Sequence, residues 1–259
     1  MSDSKLMEVV GKTIAYAGKY GQRLNMEQIR RRLISAEVWG EEDIRRVIEG
    51  QRLEISDGES LNRESRRKLS MVRKIFRDRW LKFLPMVMVA VTGSVAAGNP
   101  DREDDIDLLV VTKNNRLWLT RILLKMWGRW KKIKMRSFGK EEKKDELCFN
   151  LWMEEDYLEV PQSKQTLKSA TDLINMVVIM DKNEVEQKML LSNQWANGYL
   201  ATGMRERKKK ISRRSSKKSD NWLADGLNWW AYWIQYWRMK ERITLETVGL
   251  HQAFYHPNG

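Results

Sequence analysis

Residues 91–112 read VTGSVAAGNPDREDDIDLLVVT, and this stretch carries the clearest structural pattern in the chain. Valines at positions 87, 89 and 91 lead into it, and their alternation favours a strand. Gly93 and Ser94 favour a turn into a short helix, and the apolar run 108–111 is typical of a strand covered on both faces. The stretch therefore predicts a strand, a turn with a short helix, and a second strand.

Two carboxylates open the second predicted strand. Asp105 and Asp107 stand two residues apart, and side chains at this spacing on a strand project from the same face. Ile106 and Leu108 alternate with them and point towards the core. Two carboxylates this close repel each other unless divalent cations lie beside them. The pair is therefore a candidate for a cation site.

The composition limits the classes of protein and of site. The chain of 259 residues has a net charge of +13, which predicts anionic partners such as nucleotides, phosphates or nucleic acid. Cys148 is the only cysteine, so no internal disulfide can form and a cytoplasmic location is expected. With His251 and His256 as the only histidines, the sequence offers no convincing zinc site. The first ten residues lack the pattern of a signal peptide.

The periodicity of apolar residues divides the chain into four predicted segments. Residues 1–61 read as three helices and an Asp-Gly hairpin, which predicts a winged-helix-like module. Residues 62–84 form a basic connecting helix with nine basic and two acidic residues. Residues 85–160 form the core, and residues 161–259 read as a helical C-terminal region. The predicted fold class is α+β, with a small mixed sheet in the core.

Further elements are predicted on both sides of residue 160. Residues 131–138 and 146–153 predict two more strands of the sheet. Apolar residues at helical spacing predict helices through 167–178 and 185–200. An aromatic helix is predicted over residues 222–239, and packing in the core or at an interface is its favoured role. A membrane-surface role is disfavoured because the polar face of this helix is narrow, and no membrane partner is expected.

The central motif resembles a known catalytic signature. A strand, Gly93-Ser94, ten intervening residues and Asp105-Ile106-Asp107 resemble the minimal signature of the polymerase-beta-like nucleotidyltransferase superfamily. This resemblance covers roughly residues 87–112. The whole chain is more loosely similar to prokaryotic nucleotidyltransferase-domain proteins, through the segments NRLWLTR, LCFNLWM, NQWANGYL and AFYHP. The resemblance implies that residues 85–160 are a nucleotidyltransferase core.

The resemblance implies a divalent-metal site, and the chemistry of the residues agrees with it. Mg²⁺ prefers one or two carboxylates together with phosphate oxygens and water, so Asp105 and Asp107 are candidate metal ligands and catalytic residues. Two Mg²⁺ ions could stabilise the attacking and leaving oxygens of an in-line displacement. Gly93 lacks a Cβ, so a phosphate could approach its backbone, and the Ser94 hydroxyl could donate to a phosphate oxygen.

The resemblance also implies a third carboxylate on a later strand. Asn150 falls where that acid is expected, and Glu146 lies on the same face by parity. Three alternatives stay open: Glu146 completes the site, two carboxylates suffice for metal binding, or catalysis is weak or lost. Glu146 and Asn150 are therefore both candidate metal ligands.

Two groups of basic residues are candidates for binding phosphate. Lys113, Arg116 and Arg121 follow the second strand and could neutralise a triphosphate. Residues 205–218 contain nine basic residues and one acidic residue, with no core-forming pattern. This run could hold nucleic acid through its phosphates without sequence specificity. Its candidate residues are Lys208, Lys209, Lys210, Arg213 and Arg214.

The sequence supports one leading function and one alternative. The leading prediction is Mg²⁺-dependent transfer of a nucleoside monophosphate from a nucleoside triphosphate such as ATP. The acceptor could be nucleic acid, a protein or a small molecule. The alternative is a non-catalytic nucleic-acid-binding or regulatory protein that retains the nucleotidyltransferase fold.

Overall fold

A mixed sheet of six strands lies at the centre of the part of the chain that the computed structural model describes, residues 2–51, 53, 55–58, 61–136, 143–208, 222–244 and 246–255. The strands are β1 (Met86–Val91), β2 (Ile106–Thr112), β3 (Leu147–Glu154), β4 (Val177–Asp181), β5 (Thr247–Val248) and β6 (Gln252–Phe254). Their order in the sheet is β4-β1-β2-β3-β6-β5. β2 and β3 run parallel, and the other neighbouring pairs run antiparallel.

The predicted strand, turn, short helix and strand over residues 86–112 are confirmed. β1 is buried at every position, and β2 is buried at every position except the half-buried Asp107. Leu109 and Val111 belong to one cluster of buried apolar residues, and Leu108 and Val110 belong to another. Because neighbouring residues of a strand face opposite sides, β2 is covered on both faces, which explains its continuous apolar run.

Helices precede and connect these strands. α4 (Arg63–Phe76) lies before β1, α5 (Gly93–Ala97) joins β1 to β2, and α6 (Leu117–Trp130) makes the crossover that the parallel pair β2 and β3 requires. The helix predicted over residues 62–84 is shorter than expected, because α4 ends at Phe76. The Asp78 side chain then accepts a hydrogen bond from the Trp80 amide and begins a short 3-10 helix.

The N-terminal helices form a core of their own. These are α1 (Ser2–Gly18), α2 (Met26–Arg31) and α3 (Glu41–Gly50). α2 begins with a capping box, in which Asn25 Oδ1 accepts from the Gln28 amide at 2.9 Å and Gln28 Oε1 accepts from the Asn25 amide at 3.0 Å. The three helices share a cluster of buried residues, Leu6, Val10, Ala17, Leu24, Ile29, Leu33, Ile44, Val47 and Ile48.

The hairpin of the winged-helix-like module is not confirmed. Residues 53 and 55–58 form no strand, and residues 52, 54, 59 and 60 lie outside the described residues. Instead of pairing with a second strand, Ser56 donates its amide hydrogen bond to the carbonyl of Leu24 at 2.8 Å. The three helices of the module are therefore present, and the wing remains a prediction.

The helix predicted through residue 178 was wrong at its end, because residues 177–181 form strand β4. α7 (Leu167–Asn175) stops at an extended Met176, and Val91 of β1 then pairs with Val177. Apolar residues at 173, 174, 177 and 178 fit a helical stripe, and that spacing alone does not separate a helix from a short edge strand. Pairing with β1 decides between them, and the β-branched side chains suit the strand.

Two other predictions of strand and helix also need correction. The strand predicted over residues 131–138 reduces to one isolated bridge between Met135 and Leu147, and residues 137 and 138 lie outside the described residues. The region beyond residue 161 is not helical throughout, since it also contributes β4, β5 and β6 to the sheet. A strand of two or three residues gives no detectable alternation, so β5 and β6 escape a periodicity argument.

The helices that follow β4 pack around the sheet and the N-terminal helices. They are α8 (Val185–Ser192), α9 (Asn197–Arg207) and α10 (Trp222–Met239). α9 contacts α2 and α7, and α10 packs along α6. Among the helices of the described residues, none is long and apolar enough to cross a membrane.

Gly203 of α9 tests the contact between α9 and α2. A Cβ at this position would lie 2.0 Å from the Arg31 carbonyl oxygen and 3.3 Å from Ile174 Cγ2. We expect Gly203→Ala to lower the free energy of unfolding by about 1–3 kcal/mol, because backbone cannot give way as a side chain can. Denaturant unfolding of the two proteins measures the difference.

Gly198 on the same helix provides the control. A Cβ there meets nothing within 4 Å, so Gly198→Ala should be neutral or stabilising by up to about 1 kcal/mol. Equal unfolding free energies for the two variants would contradict the close approach of α9 and α2.

Candidate functional site

A cavity of about 320 Å³ opens where β1 ends and β2 begins, and we call it the acidic cavity. Carboxylates of Asp104, Asp105, Asp107 and Asp172 line it together with the Asn150 amide. The remaining lining residues are Thr92, Gly93, Ser94, Leu109, Leu151, Met153, Val160, Lys164, Lys168, Ser169, Leu173, Met176, Met189 and Phe254. The cavity therefore combines an acidic side, two lysines and an apolar wall.

Gly93 lies directly against Asp107. Its φ of +65° is in the left-handed region, where a Cβ is strained. A Cβ at this position would also lie 2.4 Å from Asp107 Oδ2. The backbone on either side is tied to the same residue, since the Thr92 amide donates to the Asp107 carbonyl at 3.0 Å. Glycine is thus required here both by conformation and by the space that the carboxylate occupies.

Each of the two motif carboxylates has its own hydrogen-bond donor. The guanidinium of Arg136 donates to Asp105 Oδ2 at 2.9 Å, and Asp105 is only 6% exposed. The Asn150 amide nitrogen donates to Asp107 Oδ1 at 2.6 Å. These two donors reduce the repulsion that the spacing of Asp105 and Asp107 would otherwise cause.

Asn150 reaches Asp107 through an irregularity in the parallel pair. Asp107 pairs with Cys148, but Leu109 pairs with Leu151, so β3 contains one more residue than β2 over this interval. The carbonyl oxygen Oδ1 of Asn150 is buried and has no hydrogen-bond partner within the described residues. A buried unpartnered oxygen beside two carboxylates is a good ligand for a hard cation.

Cys148 lies beside the same carboxylates without being suited to the same ion. One ligand atom each from Asp105, Asp107 and Cys148 falls within 4.8 Å of the others. Burial raises the pKa of the Cys148 thiol, and the nearby Asp107 and Asp105 raise it further. The thiol therefore stays protonated at neutral pH, and Mg²⁺ prefers oxygen ligands.

The loop that leads into β2 is held by charged residues of α4. Lys68 is fully buried, and its Nζ donates to the Asp104 carbonyl at 2.5 Å and to Asp145 Oδ1 at 3.2 Å. Arg67 donates to both carboxylate oxygens of Asp145 at 2.7 and 3.0 Å. The hydrogen bonds with Arg67 and Lys68 lower the pKa of Asp145, and the bond with Arg67 has the largest effect. Part of the positive charge of this helix therefore positions the site.

Ser94 has a partner inside the protein. Its hydroxyl donates to Asp104 Oδ2 at 2.8 Å, and the Asp101 amide donates to the same oxygen at 3.0 Å. The sequence suggested that this hydroxyl donates to a phosphate. In the structure it instead holds the Asp104 side chain next to the motif carboxylates.

The three cations proposed to neutralise a triphosphate are not among the lining residues of the acidic cavity. Lys113, Arg116 and Arg121 follow the far end of β2, and the motif carboxylates lie at its start, roughly 20 Å away for a strand of this length. Arg116 pairs with Asp225, and the buried Arg121 bonds Gln235 and lies over the Tyr255 ring at 4.9 Å. These cations do follow β2 in the chain, as predicted. The strand, however, places them at the end opposite to the carboxylates.

Two other lysines line the cavity. Lys164 is 7% exposed, and Lys168 is half-buried in the first turn of α7. Their spacing of four residues was visible in the sequence, but nothing there placed them near the motif. Arg136 and Asp104 were not predicted as site residues. Arg136 lay in a predicted strand, and Asp104 lay in the polar stretch between Ser94 and Asp105.

The remaining sequence candidates lie outside the cavity or outside the described residues. Glu146 is not among the lining residues, and its backbone carbonyl accepts from the Ile106 amide at 2.8 Å. Lys208 Nζ donates to Gln194 Oε1 at 2.7 Å. The other four residues of the basic run, Lys209, Lys210, Arg213 and Arg214, lie outside the described residues.

Comparison with known families found a match to the segment that surrounds this cavity. Residues 69–174 match the family model described as "Nucleotidyltransferase domain". Searches of curated proteins and of solved structures found no match to the chain. The matched segment begins in α4 and ends in α7, so it includes the motif carboxylates and Asn150. This match covers 106 of the 259 residues, and it agrees with the resemblance of residues 87–112 to the polymerase-beta-like nucleotidyltransferase superfamily.

Gly93→Ala tests whether the close approach of Gly93 and Asp107 matters for the site. The added Cβ should displace the Asp107 carboxylate and weaken Mg²⁺-dependent binding of a nucleoside triphosphate by about tenfold or more. Isothermal titration calorimetry measures the affinity.

Gly21 is a matched control, because its φ is +66° and a Cβ there meets nothing within 4 Å. Gly21→Ala should show the cost of left-handed backbone, about 1–2 kcal/mol of stability, with unchanged binding. Wild-type affinity in the Gly93→Ala protein would show that the acidic cavity does not require this glycine.

Proposed function

We propose that the protein transfers a nucleoside monophosphate from a nucleoside triphosphate to an acceptor hydroxyl, with Mg²⁺ bound by Asp105 and Asp107. One observation carries the proposal: two adjacent carboxylates face a glycine turn in a cavity that also contains two lysines. The family match supports nucleotidyl transfer in general, and the metal, the donor and the acceptor are the parts that we propose. The acceptor is nucleic acid, a protein or a small molecule.

The ligand atoms in the acidic cavity fit a hard divalent cation. Asp105 and Asp107 supply carboxylate oxygens, and Asn150 supplies a buried oxygen that has no other partner in the described part of the chain. Bound there, Mg²⁺ would neutralise the triphosphate and activate the acceptor oxygen. We propose these three residues as its ligands. Cys148 is left out of this set because Mg²⁺ prefers oxygen ligands to sulfur, and Glu146 because it lies outside the cavity.

The chain's own residues would orient the donor. Gly93 lets the Asp107 carboxylate lie against its backbone, so a phosphate held by a cation on Asp107 would also lie near this turn. Lys164 and Lys168 line the same cavity, and their charges favour a triphosphate inside it. The apolar residues of the cavity, including Leu151, suit the base or an apolar part of the acceptor.

In this proposal, a carboxylate of the acidic cavity removes the proton from the acceptor hydroxyl. Asn150 stands where the superfamily pattern implies a third acid, and an amide is too weak a base for this role. The carboxylates that line the cavity are those of Asp104, Asp105, Asp107 and Asp172. Asp105 also bonds Arg136, which keeps the carboxylate fixed next to Asp107.

A second candidate function is a nucleotide-binding protein without catalysis. The ion pair between Asp105 and Arg136 favours it, because a guanidinium already neutralises one of the two metal-binding carboxylates. The amide at Asn150 favours it as well, since it lowers the negative charge available to a metal. The two candidates differ in whether a bound triphosphate is consumed.

Incubation with an α-labelled nucleoside triphosphate, Mg²⁺ and cell extract tests the reaction. We expect Mg²⁺-dependent labelling of an acceptor, and Asp107→Asn should lower the rate about 100-fold or more, in the range expected for loss of a catalytic carboxylate. Asp43→Asn, on the exposed face of α3 with 47% of its side chain accessible, should behave as wild type.

If the protein binds the triphosphate but neither labels an acceptor nor releases pyrophosphate, the result favours the non-catalytic function. If a folded Asp105→Asn/Asp107→Asn protein consumes the triphosphate as fast as the wild type, these carboxylates do not form a catalytic metal site.

Asn150→Asp tests the third position directly. The change places a second carboxylate against Asp107 Oδ1 at a site only 3% exposed. Without metal we expect the free energy of unfolding to fall by about 3 kcal/mol or more, because the new charge is buried and unpaired. Added Mg²⁺ should then raise the melting temperature of this variant more than that of the wild type.

Asn150→Ala removes the amide, its hydrogen bond to Asp107 and the proposed ligand oxygen without adding charge. If Mg²⁺ stabilises wild type, Asn150→Asp and Asn150→Ala equally, Asn150 does not face a bound metal.

A further inference from the structure

Helix α10 turns an apolar face towards solvent. Its exposed residues other than Arg238 fall within an arc of about 160° around the helix, at 100° per residue. Apart from Gly226 and the residues near the helix end, this arc is made of tryptophan and aliphatic side chains that are 37–78% exposed. We call it the tryptophan face, and it consists of Trp222, Leu223, Leu227, Trp229, Trp230, Trp233, Ile234 and Trp237.

Two polar residues of the same helix, Asn228 and Gln235, point into the protein. Asn228 is 1% exposed, and its Oδ1 accepts from the amides of Trp118 and Leu119 at 2.9 and 3.1 Å. Gln235 Nε2 donates to the Trp118 carbonyl at 3.0 Å, and its Oε1 accepts from Arg121. A surface helix of a soluble domain normally has the reverse arrangement. These bonds fix α10 on α6 with its apolar face outward.

The described residues leave the tryptophan face uncovered, and the chain before it offers little to cover it. Residues 209–221 contain a single apolar residue, Ile211. The exposed apolar surface is therefore available to a partner, and contiguous exposed patches of this kind mark interaction sites.

The surrounding charge indicates the class of that partner. Residues 205–218, which precede α10 in the sequence, contain nine basic residues against one acidic residue. At the other end of the helix, Lys240 Nζ lies 4.0 Å from the centre of the Trp237 ring. Asp225 is the only acidic residue of α10, and it pairs with Arg116. An apolar face next to Lys240, on a chain with a net charge of +13, complements a surface that is apolar inside and anionic at its rim.

Two other partners fit less well. Nucleic acid would match the tryptophans and the basic run, but Leu223, Leu227 and Ile234 offer no ring for a base to stack on. A second copy of the chain would bring two molecules of charge +13 together along their basic segments. Tryptophan, by contrast, is favoured at the boundary between lipid headgroups and acyl chains.

From these observations we infer that the tryptophan face of α10 docks on a membrane surface that contains anionic lipids. The helix has 18 residues and a length of about 27 Å, and it would lie in the plane of the interface. The net charge of +13 adds the electrostatic attraction that stable peripheral binding needs. The sequence argument against a membrane surface relied on a narrow polar face, but the folded protein itself supplies the polar side. This inference is independent of the proposed nucleotidyl transfer.

Co-sedimentation of the full chain with vesicles tests the inference. The probes are vesicles of phosphatidylcholine alone and vesicles with about one-quarter anionic phosphatidylglycerol. We expect sedimentation with the anionic vesicles, and a Trp230→Ser/Trp237→Ser variant should bind them about tenfold or more weakly, because each indole loses its apolar burial. Tyr20→Ser/Leu191→Ser, which changes two exposed apolar residues on other helices and turns, should bind as wild type.

Three outcomes would overturn the inference. The first is wild-type protein that stays in the supernatant with anionic vesicles. The second is equal binding by wild type and Trp230→Ser/Trp237→Ser, which would assign binding to the basic charge alone. The third is a solution dimer that this variant abolishes. Because the variant could also lose its fold, quenching of wild-type tryptophan fluorescence by bromine-labelled lipid provides a test without substitution, and absence of quenching would count against docking.

Discussion

A fully buried ammonium group holds the centre of this structure together. Burying an ammonium is costly unless carbonyl and carboxylate oxygens replace its water, and Lys68 meets the Asp104 carbonyl and Asp145 for this purpose. Asp104 precedes β2 and Asp145 precedes β3, so one side chain of α4 fixes the starting points of both parallel strands. The positions of Asp107 and Asn150 relative to each other along β2 and β3 therefore depend on that link.

The sequence predicted the elements of the site better than the contacts within it. The spacing of the carboxylates and the apolar run after them predicted β2 and its buried faces, and the Gly93 turn into α5 was also expected. Arg136 was not predicted at the site, and Asn150 was expected there as a metal ligand rather than as a hydrogen-bond donor to Asp107. Arg136 and Asn150 come from other parts of the chain, and their approach depends on the parallel pairing and on one extra residue in β3, which local patterns do not report.

Local patterns also failed where tertiary contacts choose between equally good alternatives. Val177 fits a helical stripe and a strand, and only the free edge of β1 decides in favour of the strand. The helix over residues 222–239 was predicted to have a narrow polar face, but its Asn228 and Gln235 are buried and bond the first turn of α6. Lys113 was close to the motif in sequence and far from it in space, since a strand carries its two ends apart.

Phe254 has a consequence for how the cavity assembles. It lines the acidic cavity from β6 and pairs with Leu151 of β3, which lies far earlier in the chain. Pairings between distant segments form slowly, because the intervening chain must first lose its freedom. During folding, β1, β2 and β3 can bring the carboxylates together while the apolar wall is still open. Leu109, Leu151 and Met153 of the apolar wall already lie on β2 and β3, so we expect only the part of the wall that Phe254 forms to wait for the pairing of β6.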